Sequence, residues 1–523
     1  MFGNFSIGPI VPQRIDPKDI PEPTPINLPR YQPFAQEDAS LDLSEALPTL
    51  LQHTGRSTTS LLGPKGLSAI GLNLHLDASP EQLVPDPSYI PDFQRWEQLS
   101  ADQAREENQL TRNPLRNGNF SPGCQTFLER KKELSNTNQD GFRTVRRIPP
   151  PKGKQHARLG NAYEFFRCLE MFTTFWDDPT QPPELPPSPE MGPSEASNAA
   201  DGVSSEQPKE EEEFRFQRTA VGHSMPADYR QNLLSAFIKL VAYDFGCNVS
   251  MARVEPRLHI SSPEGAASPR KSYFPSNTSF IFQTPTTREA ARAGNVYGPA
   301  GAVSARPTTE FTTPDMETAQ SLDLAREIVA ALITAQHRAR EGKTETRFGE
   351  GQWWTQNPRW GGGSGGPIGR EIEKDTVQGD KDSRPSDSDG RPMAKKPRKN
   401  MSIYDNYRMV RPPSTTWDKK ARYEAIGKQS GADYDDVFVV SSLFHHISIL
   451  RVRVPARLLE VLDGSPEPDL TKRSWGGVQA WRSPWFDMFR TDERIEAMKT
   501  LWPVMAYQMR KDTPEGDVAM TDA

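Results

Sequence analysis

Residues 224–250, SMPADYRQNLLSAFIKLVAYDFGCNVS, carry the pattern on which the fold turns. Ser224 suits a helix N-cap and Pro226 the first helical turn. Leu233, Leu234, Phe237, Ile238, Val241 and Phe245 then repeat at steps of three and four, the spacing of one buried helix face. Gly246 supplies a C-cap, and the β-rich piece Asn248–Val254 follows at once. Three more strand-like pieces come next: Leu258–Ser261, Ser279–Thr284 and Asn295–Ala305. A second helix is predicted from about Met316 to Arg340, opened by Thr313-Pro314-Asp315, with Leu322, Ala325, Ile328, Val329, Leu332 and Ile333 on one side. The span 214–340 therefore reads as the first part of an α+β core.

Upstream, NAYEFFRCLEMFTTFW (161–176) places Phe165, Phe166, Leu169, Phe172 and Phe175 or Trp176 on one helix face. Asp177-Asp178-Pro179 stops it, so 158–178 reads as a core helix. Downstream, Asp435–Ser442 and His445–Val454 are β-branched runs close enough for a hairpin. A short helix with Leu458, Leu459 and Leu462 lies between Pro455 and Gly464. A last helix, about Asp492–Arg510, aligns Ile495, Met498, Leu501, Trp502, Met505 and Met509, with a kink expected at Pro503. These elements make 402–511 the second part of the core. The fold class is α+β, one modest core of helices and antiparallel sheet. No strand–helix–strand period and no internal repeat is visible.

The remaining segments are predicted to be non-globular. Of 523 residues 49 are proline, about twice the roughly 5% average. The apolar share is 35% and the mean hydropathy −0.71, too little apolar surface to order the whole chain. Residues 1–157 read as a mostly disordered, proline-rich arm with short docking segments at Leu41–Gln52 and Pro91–Leu110. Residues 179–213 read as a disordered linker, with seven prolines from Pro179 to Pro193 and the acidic run Glu210–Glu213. Residues 341–401 form a Gly- and charge-rich insert, and 512–523 an acidic tail. The formal net charge of −6 argues against a nucleic-acid coat. Cys124, Cys168 and Cys247 lie too far apart for a disulfide framework or a zinc pattern, which suits a reducing compartment. With no run of 18 apolar residues and no secretory leader pattern, an intracellular chain without a membrane span is expected.

Motifs for catalysis are weak. Gly362-Gly363-Ser364-Gly365-Gly366 fits G-x-S-x-G in letters, but no apolar strand precedes it, so it reads as a flexible loop rather than a nucleophile elbow. The eight histidines, His53, His75, His156, His223, His259, His337, His445 and His446, make no H-x₃-H or H-E-x-x-H pattern. His445 and His446 open a strand, where alternation would send one ring in and one out. No catalytic residue, cofactor or metal is expected from these patterns. Trp475, Trp481, Trp485, Phe486 and Phe489 read as a packing cluster.

Three segments point to partners. Lys395, Lys396, Pro397, Arg398 and Lys399 put four cations on an extended stretch, the kind an import receptor's acidic groove selects. Arg143, Arg146, Arg147, Lys152, Lys154 and Arg158 form a basic run with no acid between, able to meet phosphates or an acidic protein face. Trp353, Trp354 and Trp360 add an aromatic–arginine cluster with Arg347 and Arg359, suited to stacking on bases or to pinning the insert. Ser268, followed by Pro269-Arg270-Lys271, fits the preference of proline-directed kinases.

FFRCLEMFTTFWDD (165–178) and GEGQWWTQNPRWGGG (349–363) resemble segments of uncharacterised proteins of filamentous fungi. The resemblance covers about a sixteenth of the chain and implies a lineage-restricted nuclear or cytoplasmic protein, without a fold, activity or site. The expected function is a nuclear, non-catalytic interaction or regulatory protein, shuttling with the cytoplasm, with protein partners and an import receptor. An enzyme assembled from scattered residues of 214–464 is one alternative. An RNA- or single-strand-binding protein is the other.

Overall fold

The computed structural model describes residues 20–29, 31, 64–181, 216, 218–251, 256–263, 265, 271–276, 278–283, 295–306, 316–339, 341, 422–469 and 471–511. Its strands are β1 (Leu72–His75), β2 (Cys247–Met251), β3 (Arg257–Ser261), β4 (Lys271–Pro275), β5 (Ser279–Gln283), β6 (Asn295–Ala305), β7 (Arg422–Glu424), β8 (Tyr434–Leu443), β9 (His446–Pro455), β10 (Val478–Arg482) and β11 (Phe486–Asp487). Its α-helices are α1 (Pro64–Ala69), α2 (Pro80–Leu83), α3 (Phe93–Gln98), α4 (Ala101–Glu107), α5 (Cys124–Leu134), α6 (Asn138–Arg146), α7 (Tyr163–Phe172), α8 (Ala227–Ala242), α9 (Met316–Arg338), α10 (Ala456–Leu462) and α11 (Thr491–Gln508).

The β8–β9 hairpin is the spine, because its ten-residue strands are almost wholly buried. Nine strands join around it in the order β1-β10-β9-β8-β6-β5-β2, with β11 beside β9 and β7 beside β6. The α+β class stands as the periodicity predicts. The sheet is mixed rather than antiparallel throughout: β1 with β10, β6 with β7 and β6 with β8 run parallel. Parallel neighbours need a crossover, and α9 lies between β6 and β8 in the chain.

Strand alternation then divides the interior into two. On one face Phe438, Val440, Ile447 and Ile449 join α5, α6, α7, α8 and α11 in a large aromatic cluster. On the other, Val437, Val439, Leu450, Val452 and Val454 meet α1, α9, α10 and the separate β3–β4 hairpin. Helices thus cover both sides of the sheet, which is why its central strands are buried on both faces.

The part of the sequence read as a mostly disordered arm behaves otherwise from residue 64. Helices α1 to α6 lie between Pro64 and Arg146, and Phe127, Leu134 and Phe142 are fully buried in the first cluster. Each of these helices buries only one to four residues in an otherwise polar segment, so no periodicity announces it. The start of α8 also differs. Pro226 itself is the N-cap, and the Ser224 hydroxyl donates to the Val221 carbonyl at 2.7 Å in a preceding 3-10 turn. At the other end Tyr243 is the C-cap, and the expected glycine, Gly246, holds φ +73° three residues further on, in the turn before β2.

Candidate functional site

The basic run begins on α6. Arg143 donates from Nη1 to the Pro149 carbonyl at 3.2 Å, and Arg146 pairs with Glu170 while lying 5.1 Å over the Phe216 ring. Burial pushes the Glu170 carboxyl up, against the pull of Arg146. The helix closes at Arg147, whose φ of +58° is left-handed, and the chain turns back along its own helix. Ile148 N bonds the Arg143 carbonyl, and Ala157 N bonds the Thr144 hydroxyl at 3.1 Å. The loop is therefore tied at both ends, with Leu159 buried as its far anchor. Arg147, Lys152, Lys154, His156 and Arg158 are exposed on it. Two of the six cations serve the fold and four face solvent.

Large interior charges are matched. Arg306 at the end of β6 pairs with Asp323 and Glu327 of α9, and Arg482 at the end of β10 shares Glu327. The Trp485 ring stacks 5.2 Å and 5.3 Å from these two guanidiniums. Arg338, at the end of α9, bonds Asp435 at 2.7 Å, Gln508 at 2.9 Å and the carbonyls of Pro299 and Ala300. The aromatic residues read as one packing cluster are dispersed: Trp475 donates to the Ile70 carbonyl at 3.0 Å, and Trp481 lies under Arg451 and beside His75.

A different kind of constellation sits at the tip of the β8–β9 hairpin. Its turn is Phe444-His445, closing on the Leu443–His446 pair. Phe444 takes φ +55° at a position where glycine is usual, and its buried ring packs 4.9 Å from Trp176. This conformation cancels the expected alternation. The His445 and His446 rings lie side by side, centroids 4.4 Å apart, with Phe489 4.9 Å from His445 on the edge of the pair. β11 runs along β9 and sets Asp487 opposite His446. One ring nitrogen of each histidine and one carboxylate oxygen of Asp487 lie within 4.8 Å of one another. His445 Nε2 is 3.5 Å from Asp487 Oδ1, which itself accepts from Phe489 N at 2.9 Å.

The surroundings of this tip are unusual electrostatically. Burial pushes the His445 imidazole down to about 3. Burial, then His445, does the same to His446. Burial pushes Asp487 up. Both imidazoles are therefore neutral at pH 7, and the Nδ1 atoms of both are buried without a hydrogen-bond partner. Nearby, Asn138 Nδ2 donates to Asp178 at 3.0 Å and to the Phe489 carbonyl at 2.9 Å. Arg494, buried and pushed down to about 10 by that burial, donates to Asn138 Oδ1 at 2.7 Å.

Of the residues singled out from sequence, Ser268, Lys395, Lys396, Pro397, Arg398, Lys399, Trp353, Trp354, Trp360 and the Gly362–Gly366 loop lie outside the described residues. The histidine pair was visible in the sequence, but Asp487 stands 41 positions after His446 and joins it only through the β9–β11 pairing. No helix among the described residues is long and apolar enough to cross a membrane. No protein-family model matches the chain, and neither a curated protein nor a solved structure matches it.

Proposed function

We propose that this chain is a non-catalytic interaction protein, a scaffold or subunit of a nuclear complex, that offers its basic loop to an acidic protein partner. The observation that carries this reading is the division among the cations of 143–158. Arg143 and Arg146 are held at the surface by the Pro149 carbonyl and by Glu170, while Arg147, Lys154 and Arg158 are exposed on a loop tied back to α6. A loop already tied loses little freedom on binding, and its charge selects a complementary surface. A small apolar pocket lies between α1, α9, α10 and the β3–β4 hairpin. It is lined by apolar residues such as Leu67, Ile260, Phe274 and Val329 and measures about 20 Å³, room for about one water. Nuclear placement rests on the cation-rich stretch Lys395–Lys399 and its fit to an import receptor.

One experiment tests both parts. A fluorescent, affinity-tagged full-length fusion is compared with the variants R147A/K154A/R158A and K395A/K396A/R398A/K399A. The first variant should stay nuclear and lose proteins that co-purify after nuclease treatment. The second should move to the cytoplasm. An unchanged partner set in the first variant, or partners lost to nuclease alone, overturns the acidic-protein reading. Unchanged location in the second overturns the import reading.

A further inference from the structure

We propose that His445, His446 and Asp487 bind one zinc ion at the tip of the β8–β9 hairpin, with a water completing the coordination. Two imidazoles and a carboxylate are a donor set that zinc accepts, and three protein ligands leave the fourth tetrahedral position to solvent. Mixed nitrogen and oxygen donors discriminate against magnesium and calcium, which take oxygen ligands.

The geometry is close to what such an ion needs. Bonds of about 2.0–2.1 Å at tetrahedral angles place ligand atoms roughly 3.3 Å apart. His445 Nε2 and Asp487 Oδ1 already stand 3.5 Å apart, and the remaining separations do not exceed 4.8 Å. His445 cannot turn away, being packed against Trp176, Phe489 and the strained Phe444 turn.

One observation beside the geometry points to a ligand rather than to packing alone. His445 is only 4% exposed, yet its Nδ1 is without a partner, and so is that of His446. Buried polar atoms are normally satisfied, and coordination through His446 Nδ1 would satisfy one of the two, while His445 faces Asp487 with its Nε2. Around the three donors, Asp487 is oriented by Phe489 N, the kind of outer support that fixes a ligand. Asp178, held by Asn138 and Thr180, adds a second negative charge behind Asp487. The cations facing the site are Arg490, largely exposed, and Arg494, engaged by Asn138. A bound ion would join the hairpin turn to β11 and to the start of α11.

The test uses the tag-free full-length chain, stripped with a chelator and titrated with Zn²⁺ against a chromogenic competitor. One zinc per chain is expected, with affinity at least about tenfold weaker in H446Q and D487N. Zn²⁺ should raise the melting temperature of the wild type and leave both variants unmoved. Because D487N also weakens the acceptor for Phe489 N, H446Q is the deciding variant, its side chain being half-buried. Co²⁺ in place of zinc should give the intense visible bands of a four-coordinate ion in the wild type and lose them in H446Q. Binding below one equivalent in the wild type overturns the proposal, and so does equal affinity in wild type and H446Q.

Discussion

Glu327 sits fully buried on α9, between Arg306 from the end of β6 and Arg482 from the end of β10. Burial alone would push its carboxyl up, but the two guanidiniums outweigh that and hold it at about 2. Its folded-state pKa therefore lies below the roughly 4.3 of an unfolded glutamate. The stability it contributes is fully present above that value and is lost as pH falls toward 2. Glu327→Gln should destabilise the protein by about 3–5 kcal/mol at neutral pH, because Arg306 and Arg482 lose a buried counter-charge. It should also flatten the fall in stability between about pH 5 and pH 3. Urea titrations of both proteins at the two ends of that window measure this. An equal fall in wild type and variant would show that the acid sensitivity originates elsewhere. The sequence hides this residue, since Glu327 between Arg326 and Ile328 reads as the solvated side of an amphipathic helix. Helix α9 is buried around most of its circumference, and the rule fails there. The side-by-side placement of His445 and His446 was hidden for another reason: a left-handed Phe444 turn cannot be read from residue types that normally avoid it.

The body of helix α8 and the strand that follows its glycine turn were legible, because a long apolar stripe and the turn glycine agree with one another. The hairpin β8–β9, helix α9 and helix α11 were legible for the same reason. By contrast, β1 and β10 are four and five residues long, carry asparagine, histidine, glutamine and arginine, and pair in parallel across about 400 positions. Nothing local marks them. The junction between α8 and β2 offers the sharpest test of a local reading. Gly246 holds φ +73°, and a Cβ there would stand 2.8 Å from Asn117 Nδ2. The neighbouring atom ends a side chain that can shift, so the backbone conformation dominates the cost. Gly246→Ala should lose about 1–2 kcal/mol, the penalty of a left-handed conformation for a residue with a Cβ. Urea unfolding followed by far-UV circular dichroism measures it. A variant as stable as the wild type would mean that this turn relaxes to another conformation.

Taken whole, the chain departs most from its composition in the layer that residues 64–181 add to the sheet. Proline content and low hydropathy suggest that residues up to 157 could be removed without harm. The contacts say the opposite. Arg494 of α11 donates to the Leu134 carbonyl at 2.8 Å and to Asn138 Oδ1, and Asn138 returns a bond to the Phe489 carbonyl. Leu115 bridges to Arg510, Arg116 N bonds the Met509 carbonyl, and Lys131 and Lys499 share Glu97. Phe127 meets Trp502 edge to face at 5.6 Å, inside the cluster that covers one side of the sheet. Deleting residues 1–157 would remove Phe127, Leu134 and Phe142 together and leave the Arg494 guanidinium buried without its carbonyl and amide partners. Each large buried side chain lost costs about 3–5 kcal/mol, against a total stability of roughly 5–15 kcal/mol for a folded domain. The fragment 158–523 should therefore fail to unfold cooperatively and should expose apolar surface that binds a hydrophobic dye. The fragment 64–523 retains every one of these contacts and should unfold cooperatively, at a lower temperature than the full chain because it loses Thr24 under Gly222 N and the packing of Ile26, Leu28 and Tyr31. A soluble 158–523 fragment melting at the temperature of the full chain would mean that the 64–157 layer only rests on the core. Loss of cooperativity in 158–523 alone would identify that layer as part of it.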